Sequence, residues 1–373
     1  MRIVFTSYSY TAEFTNPEDW LFRIRSYTGI LECLATEHEV FSIERINFRG
    51  EAVHKGVHYY FTRLNKLSSH IPLAMHRLIR SLRPDVVFIN GFIFPFQIIQ
   101  LKLTLGPSVK IIILHRAEQP FRGLKRIVQR VTDGCVDYYL FASRTLGDEW
   151  IRSGIVRNKE KIQQVLQSSS VFYPIERELA RTTVSVSGNP VFLWVGRLDA
   201  NKDPFTIIKA FEQYASINPG ARLYMIYQTE DLLGEIKAFI AEKSGLGDVV
   251  KMVGPVTHDQ LIYWYNAADY ILSGSHYEGS GVAVVEAMSC GCIPIVTTID
   301  SFRGMLGDAF QENFFKPGDA SQLVKILTGL RNEELDMKRR KVLYHFREEL
   351  SFEAIAGKIN QLIRANPQGY VSI

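Results

Sequence analysis

The stretch 191–215, VFLWVGRLDANKDPFTIIKAFEQYA, decides the fold. It opens on an unbroken apolar run, Val191–Val195, of the kind a strand buried on both faces requires. Gly196 ends that run and a polar loop follows. Pro204 then stands where a helix can begin, because its missing N–H is no loss at a first helical position. Thr206–Ala215 carries apolar residues at helical spacing. Similar runs recur at Arg2–Thr6, Val40–Ile43, Val86–Asn90, Lys110–His115, Tyr138–Ala142, Arg222–Tyr227, Val249–Val253, Tyr270–Ser273 and Ile293–Thr297. Amphipathic stretches such as Asp19–Ala35, Pro72–Ser81 and Leu232–Lys243 lie between them. Val/Ile-rich strands separated by helices predict buried parallel sheet and an α/β class.

Two sets of these units flank a break. Residues 168–190 hold three consecutive serines, Pro174, a charged stretch and VSVSGNP, all turn-forming. The predicted organisation is a Rossmann-like domain at 1–172, a linker at 173–187 and a second Rossmann-like domain at 188–345. Two doubly wound domains facing each other make a central cleft, and ligands sit outside the carboxyl ends of parallel strands. Functional residues are therefore sought in loops that follow strands.

Composition narrows the function. A chain of 373 residues with 46% hydrophobic and 22% charged residues is globular, neither disordered nor collagen-like. The net charge of +4 is too mild to imply nucleic acid. It is also uneven: residues 1–180 hold 24 basic against 17 acidic side chains, and the remainder 19 against 22. The basic half is the one to meet an anionic partner or surface. Four scattered cysteines exclude a disulfide framework and point to a reduced, cytoplasmic setting. No segment reads as a signal peptide, and the greasy run Phe92–Leu103 is too short and too polar to span a bilayer.

Two blocks carry chemistry. In VGRLDANKDP, Val195–Pro204, Arg197 and Lys202 follow a strand and precede a helix. A planar fork, a point charge and helix-start N–H groups suit a diphosphate; a solvated basic loop explains the pair equally. In SHYEGSGVAVVEAMSCGCIPIVT, Ser275–Thr297, Glu278 precedes a Gly-Ser-Gly turn and Glu286 falls in the helix that follows. Gly279 and Gly281 permit the backbone to form an anion nest with Ser280 and Val282. A carboxylate can accept two hydroxyls of a vicinal diol, so two of them beside a phosphate nest suit a nucleotide sugar. A single Glu at a helix start is explained as well by the helix dipole.

Together these blocks resemble the retaining, GT-B-fold glycosyltransferases of family 4. Other family-like phrases follow in order: VFINGFIFP at 87–95, DYYLFAS at 137–143, VGPVTHDQLIYWYNAADYILSGS at 253–275 and FFKPGD at 314–319. The resemblance is dense over 190–320 and looser over 1–180. It implies that a sugar passes from a nucleotide diphosphate to an acceptor hydroxyl with its anomeric configuration retained. Arg197, Lys202 and the amides near Gly279–Val282 would stabilise the leaving diphosphate, Glu278 and Glu286 would hold donor sugar and ribose, and Gly196 counts among the donor-binding residues. No metal or other cofactor is implied, and the chain lacks an Asp-x-Asp motif. UDP or GDP is the expected donor base. His115, at the end of IIILH, matches a family His near the donor sugar. The tail 346–373 resembles the closing helix that returns to the first domain. The family's broad role is cell-surface polysaccharide or glycolipid synthesis.

The acceptor side departs from the family. Where relatives carry a Gly-Gly loop after the first strand, this chain reads TSYSYTAEFTNPEDWLF. Tyr8, Tyr10, Asn16 and Trp20 become acceptor-side candidates, with Arg116 and Glu118 beyond His115. A glycan or lipid-linked acceptor is expected. In FRGLKRIVQRV, Phe121–Val131, Arg122, Lys125, Arg126 and Arg130 are read on one helical face and Leu124, Ile127, Val128 and Val131 on the other. That suits peripheral contact at the inner membrane face, and equally a solvated face on a core-packed helix. A degenerate GT-B protein that binds nucleotide or glycan without turnover is the alternative, and a GT-B-shaped nucleotide-sugar epimerase a further one. A Rossmann dehydrogenase is excluded, because residues 6–16 contain no glycine.

Overall fold

The computed structural model describes residues 1–63, 71–116 and 118–365. The chain divides into two compact units, 1–169 with 352 onward, and 170–351.

The first unit is built on an eight-stranded sheet. Its strands are β1 (Arg2–Ser7), β2 (Glu39–Glu44), β3 (Gly50–His54), β4 (Val57–Phe61), β5 (Val86–Asn90), β6 (Lys110–Leu114), β7 (Tyr138–Phe141) and β8 (Ile162–Gln164). They run in the order β3-β4-β2-β1-β5-β6-β7-β8, parallel except where β3 pairs antiparallel with β4. Helices α1 (Pro17–Arg23), α2 (Arg25–Leu34), α3 (Leu73–Ser81), α4 (Pro95–Leu105), α5 (Leu124–Thr132) and α6 (Arg144–Arg152) connect them. The amphipathic stretch 19–35 is therefore two helices, broken where Ile24 leaves helical geometry at φ −101°, ψ 14°. The C-terminal helix Phe352–Arg364 packs on α2 within this unit. Its Phe352 ring lies where a Cβ on Gly29 would fall, at 2.7 Å, so glycine there admits the helix. Of the tail read at 346–373, residues 366–373 lie outside those described.

The second unit has a six-stranded, wholly parallel sheet of β9 (Val191–Gly196), β10 (Arg222–Tyr227), β11 (Val250–Gly254), β12 (Tyr270–Ser273), β13 (Ile293–Thr297) and β14 (Phe314–Phe315). The order is β11-β10-β9-β12-β13-β14. Its helices are α7 (Arg177–Thr183), α8 (Pro204–Ile217), α9 (Leu233–Ala241), α10 (Leu246–Val249), α11 (Leu261–Ala267), α12 (Val282–Ser289), α13 (Asp300–Leu306), α14 (Ala320–Thr328) and α15 (Leu335–His345). Both sheets are doubly wound. Strand order reverses between β1 and β5 in one and between β9 and β12 in the other, the places where such sheets open a crevice.

The stretch 173–187, read as a linker, is part of the second unit and carries α7. Its polar composition hides the anchor. Arg177 and Arg181 both pair with the fully buried Asp269, whose Oδ2 also accepts the Val191 N–H at 2.8 Å. A buried carboxylate needs such partners, and here they tie the helix to the start of β9.

Candidate functional site

The site of the second unit is assembled at its switch point, where the loops after β9 and β12 lie side by side. His276 N–H donates to Asn201 O at 2.8 Å, and Asn201 Nδ2 donates to Tyr277 O at 3.1 Å. A Cβ on Gly274 would stand 2.8 Å from Asp203 O, so glycine is what lets the two loops close. Across that seam Lys202 Nζ forms an ion pair with Glu278 Oε1, and Ser275 Oγ donates to the same oxygen at 2.8 Å. Gly196 sits at the end of β9, where a Cβ would press on the Trp194 ring at 3.1 Å and approach the Lys202 stem at 3.6 Å. Arg197 is not drawn into the pair. It is exposed and turns its Nε to Asp199 Oδ2 at 3.2 Å.

The two helix starts nearby differ. That of α8 is already occupied: Asp203, left-handed at φ 43°, accepts Thr206 N–H at 3.2 Å and Thr206 O–H at 2.6 Å. The sequence predicts N–H groups of this helix start as diphosphate donors; in the structure the Asp203 carboxylate takes the Thr206 N–H. At the start of α12 the N-cap residue is Gly281, which offers no side-chain cap. Gly281 precedes it at φ 57°, ψ 46°, and a Cβ there would meet the buried Phe302 ring at 2.5 Å. Of the two glycines in the turn, Gly281 is the one that uses a left-handed conformation. Gly279 and Ser280 are half-buried and Val282 is exposed at the first position of the helix.

Glu286 lies one turn into α12 and is only 4% exposed. Its Oε1 accepts from His258 Nε2 at 2.7 Å and its Oε2 from Tyr265 OH at 3.0 Å. Phe172 packs against His258 in a tilted arrangement with ring centroids 4.9 Å apart. His258, Tyr265, Ser275 and Phe172 went unread in the sequence, and no spacing rule links His258 to a carboxylate 28 positions on. Burial and the neighbouring Glu286 push the Tyr265 hydroxyl well above its ordinary pKa, so it stays a donor.

In the first unit the loops after β1, β5 and β6 hold the remaining candidates. His115 is buried against Phe141 and Trp150, and its Nε2 donates to Glu118 O at 2.9 Å. Burial lowers its pKa, so the ring is neutral at pH 7. A carbonyl can only accept, so the proton sits on Nε2 and Nδ1 keeps its lone pair. Glu118 clamps two loops, with the amides of Phe92 and Arg116 each donating to it at 2.5 Å. Arg116 donates to Asn90 Oδ1 at 2.8 Å and lies over the Tyr27 ring.

The remaining acceptor-side candidates lie on and around the loop after β1. Tyr8 is buried, its hydroxyl placed between His76 Nε2 at 3.0 Å and Gln97 O at 3.2 Å. Asn16 caps α1 by accepting Glu18 N–H at 3.0 Å. Trp20 donates to the buried Glu44 at 2.9 Å. Tyr10 is half-buried on the loop after β1. Among the described residues no cluster of three or more His, Cys, Asp or Glu side chains could hold a metal ion. No described helix is long and apolar enough to cross a membrane.

With the geometry described, the chain can be compared with known proteins. Residues 176–350 match the family described as Glycosyl transferases group 1. The D-inositol 3-phosphate glycosyltransferase of Pseudarthrobacter chlorophenolicus is 28% identical over 200 residues, 51% of this chain and 46% of that protein. The mannosylfructose-phosphate synthase of Agrobacterium fabrum is 32% identical over 136 residues, 34% of this chain and 30% of that protein. The chain thus spans less than half the length of the curated relatives it matches. The Anabaena protein HepE, solved in complex with UDP, superposes with a TM-score of 0.72 over 97% of this chain and 99% of its own. At 14% identity that likeness is one of fold, the GT-B fold of glycosyltransferases.

Proposed function

We propose that the chain is a retaining glycosyltransferase that needs no metal. It moves a sugar from a nucleotide diphosphate to the hydroxyl of a glycan or lipid-linked acceptor, in cell-surface polysaccharide or glycolipid synthesis. The observation that carries this reading is the Lys202–Glu278 pair at the switch point, beside the glycine-capped start of α12. In the free protein the two charges neutralise one another. When a diphosphate arrives, Lys202 turns to it, and Glu278 is released to accept sugar hydroxyls. Arg197, exposed and held only by Asp199, swings to the same phosphates. The first-turn amides from Gly281 to Ala283 supply further donors to the charge that grows on the leaving group. Glu286, fixed by two donors, takes the ribose diol.

The test is a thermal-shift panel of UDP, GDP, ADP and CMP with their common sugars. UDP comes first because HepE was solved with it. A ligand at a hundred times its Kd stabilises by about 2.7 kcal/mol, a shift of a few degrees. One clear hit that is lost in Lys202→Met is the expected result. A hit without any transfer, across a range of acceptors, would favour a binding protein of the same fold. No hit with any nucleotide on folded protein would remove the reading.

A further inference from the structure

Among the described residues the buried acidic and basic side chains are Glu44, Arg45, Asp133, Asp269 and Glu286. The four carboxylates all have partners. Arg157 and Lys161 meet Asp133, Arg177 and Arg181 meet Asp269, His258 and Tyr265 meet Glu286, and Trp20 and Ser42 donate to Glu44. Arg45 is the cation of the set. It is 6% exposed, and among the described residues no carboxylate pairs with it. A charge taken out of water without a counter-ion destabilises the protein that holds it.

Arg45 follows β2 at the carboxyl end of the first sheet, one strand from the switch point between β1 and β5. Its guanidinium turns to the loop after β1, where Nη1 donates to Tyr8 O at 2.7 Å. The backbone fixes it there: Thr11 N–H donates to Arg45 O at 2.9 Å and Asn47 N–H to Phe14 O at 2.8 Å. Arginine has five N–H donors. Those not used on Tyr8 take no partner among the described residues, and none of their nitrogens is sealed away from solvent. The stem is therefore buried while a free edge of the fork opens outward. Burial lowers the guanidinium pKa and the neighbouring Tyr8 and Tyr10 oppose that, so the group stays charged.

The surroundings are positive as well. Thr62 N–H donates to Glu44 O at 2.8 Å, and Arg63 beyond it is exposed. His76, the fourth residue of α3, is bonded to Tyr8 OH, which sets the positive end of that helix on the same side. Glu13, the acidic residue of the loop after β1, is exposed.

We propose that Arg45 is an oxyanion subsite for the acceptor: the acceptor carries a carboxylate or phosphate group, and the free edge of this guanidinium receives it through two parallel N–H bonds. The inference rests on the glycosyltransferase reading and adds to it the charge of the second substrate. A brace for the loop would need one donor to Tyr8 O and no charge. A binding group explains the charge, because the ligand supplies the counter-ion that the fold withholds.

The experiment is a thermal-shift titration of the full chain with glucose, glucuronate, glucose 6-phosphate and inorganic phosphate at constant ionic strength, on wild type, Arg45→Gln and Arg45→Lys. Phosphate groups also meet the donor site of the second unit, so the part of each shift lost in Arg45→Gln is the measure. A charged sugar should stabilise the wild type more than inorganic phosphate does, and glucose should not. Its apparent Kd should rise about tenfold or more in Arg45→Gln and less in Arg45→Lys, which keeps a point charge without the fork. Whichever charged sugar acts separates carboxylate from phosphate. Without ligand, Arg45→Gln should melt no lower than wild type, since it removes an uncompensated buried charge. No shift with any of the four, shifts unaltered in Arg45→Gln, or equal shifts from glucose and its charged forms would overturn the proposal. So would an effect confined to inorganic phosphate, which would make this a free-anion site, or a melting point lowered in both variants, which would make Arg45 a brace. UDP is titrated alongside. A UDP shift without any Arg45-dependent anion effect sinks this inference alone, and the reverse sinks the nucleotide-sugar reading alone.

Discussion

His258 Nε2 meets Glu286 Oε1 at 2.7 Å while Tyr265 OH holds the other oxygen of the same carboxylate at 3.0 Å. Both donors come from one short segment, residues 258–265, and the carboxylate from α12. Glu286 is thus oriented before any ligand arrives. Glu286→Ala should weaken nucleotide-sugar binding about tenfold or more by calorimetry, since a hydrogen bond to a charged group is worth about 1.5–3 kcal/mol. Tyr265→Phe removes one orienting donor and should give a smaller loss with the fold intact. Wild-type affinity in Glu286→Ala would remove that residue from the donor site.

Lys202→Met keeps the length of the side chain and deletes its charge. Turnover should fall by about a hundredfold to a thousandfold, the range seen when a donor to developing negative charge is lost. Circular dichroism should match the wild type. The wild-type enzyme should keep its rate in EDTA. A wild-type rate in the variant would take Lys202 out of the clamp, and loss in EDTA with recovery on a divalent ion would contradict the metal-free reaction.

Gly281→Ala forces a Cβ into left-handed backbone and to within 2.5 Å of Phe302. The expected cost is about 1–3 kcal/mol, read as a melting point lowered by several degrees. Gly234→Ala is the control: it lies in α9 with nothing within 4 Å of the added methyl, and helix propensity favours alanine. Equal melting points for both variants would refute the strain.

The buried His76 beside Tyr8 has its pKa pushed down to about 4 by burial. The folded chain therefore holds it neutral, while the unfolded chain binds a proton from about pH 6.5 downward. Stability should be fully present above that value and fall as pH drops toward 4. His76→Gln, which cannot titrate, should flatten this part of the melting-temperature profile against pH. An unchanged slope would show that other groups set it.

The sequence makes plain what periodicity and chain punctuation can express. All ten strand candidates appear in the two sheets, because continuous Val/Ile runs have few other places to go. The hairpin β3–β4 was missed since β3, GEAVH, is a polar edge strand. Its signal was the pair Lys55–Gly56, both at positive φ, 46° and 81°, the geometry of a two-residue hairpin turn. Helix α7 hid because Arg177, Arg181 and Asp269 hold it, and an ionic anchor leaves no apolar rhythm. For α5 the rhythm was visible but not its sense: the helix buries Gln129 and Thr132, and spacing tells which residues share a face, not which face is covered. At the site, the motif residues Lys202 and Glu278 were legible, whereas His258 and Tyr265 reach Glu286 only through tertiary packing.

The return of Phe352–Arg364 to α2 sets an order of events during synthesis. Residues 1–169 leave the ribosome first, yet their last packing element is translated only after the 182 residues of 170–351. At roughly 5–20 residues per second that is a wait on the order of ten to forty seconds. Throughout it the groove beside Gly29 stays open to other apolar chain. The unit that begins first is therefore finished last, and a nascent chain stalled in the second unit would be left with a half-closed first one for chaperones to shield.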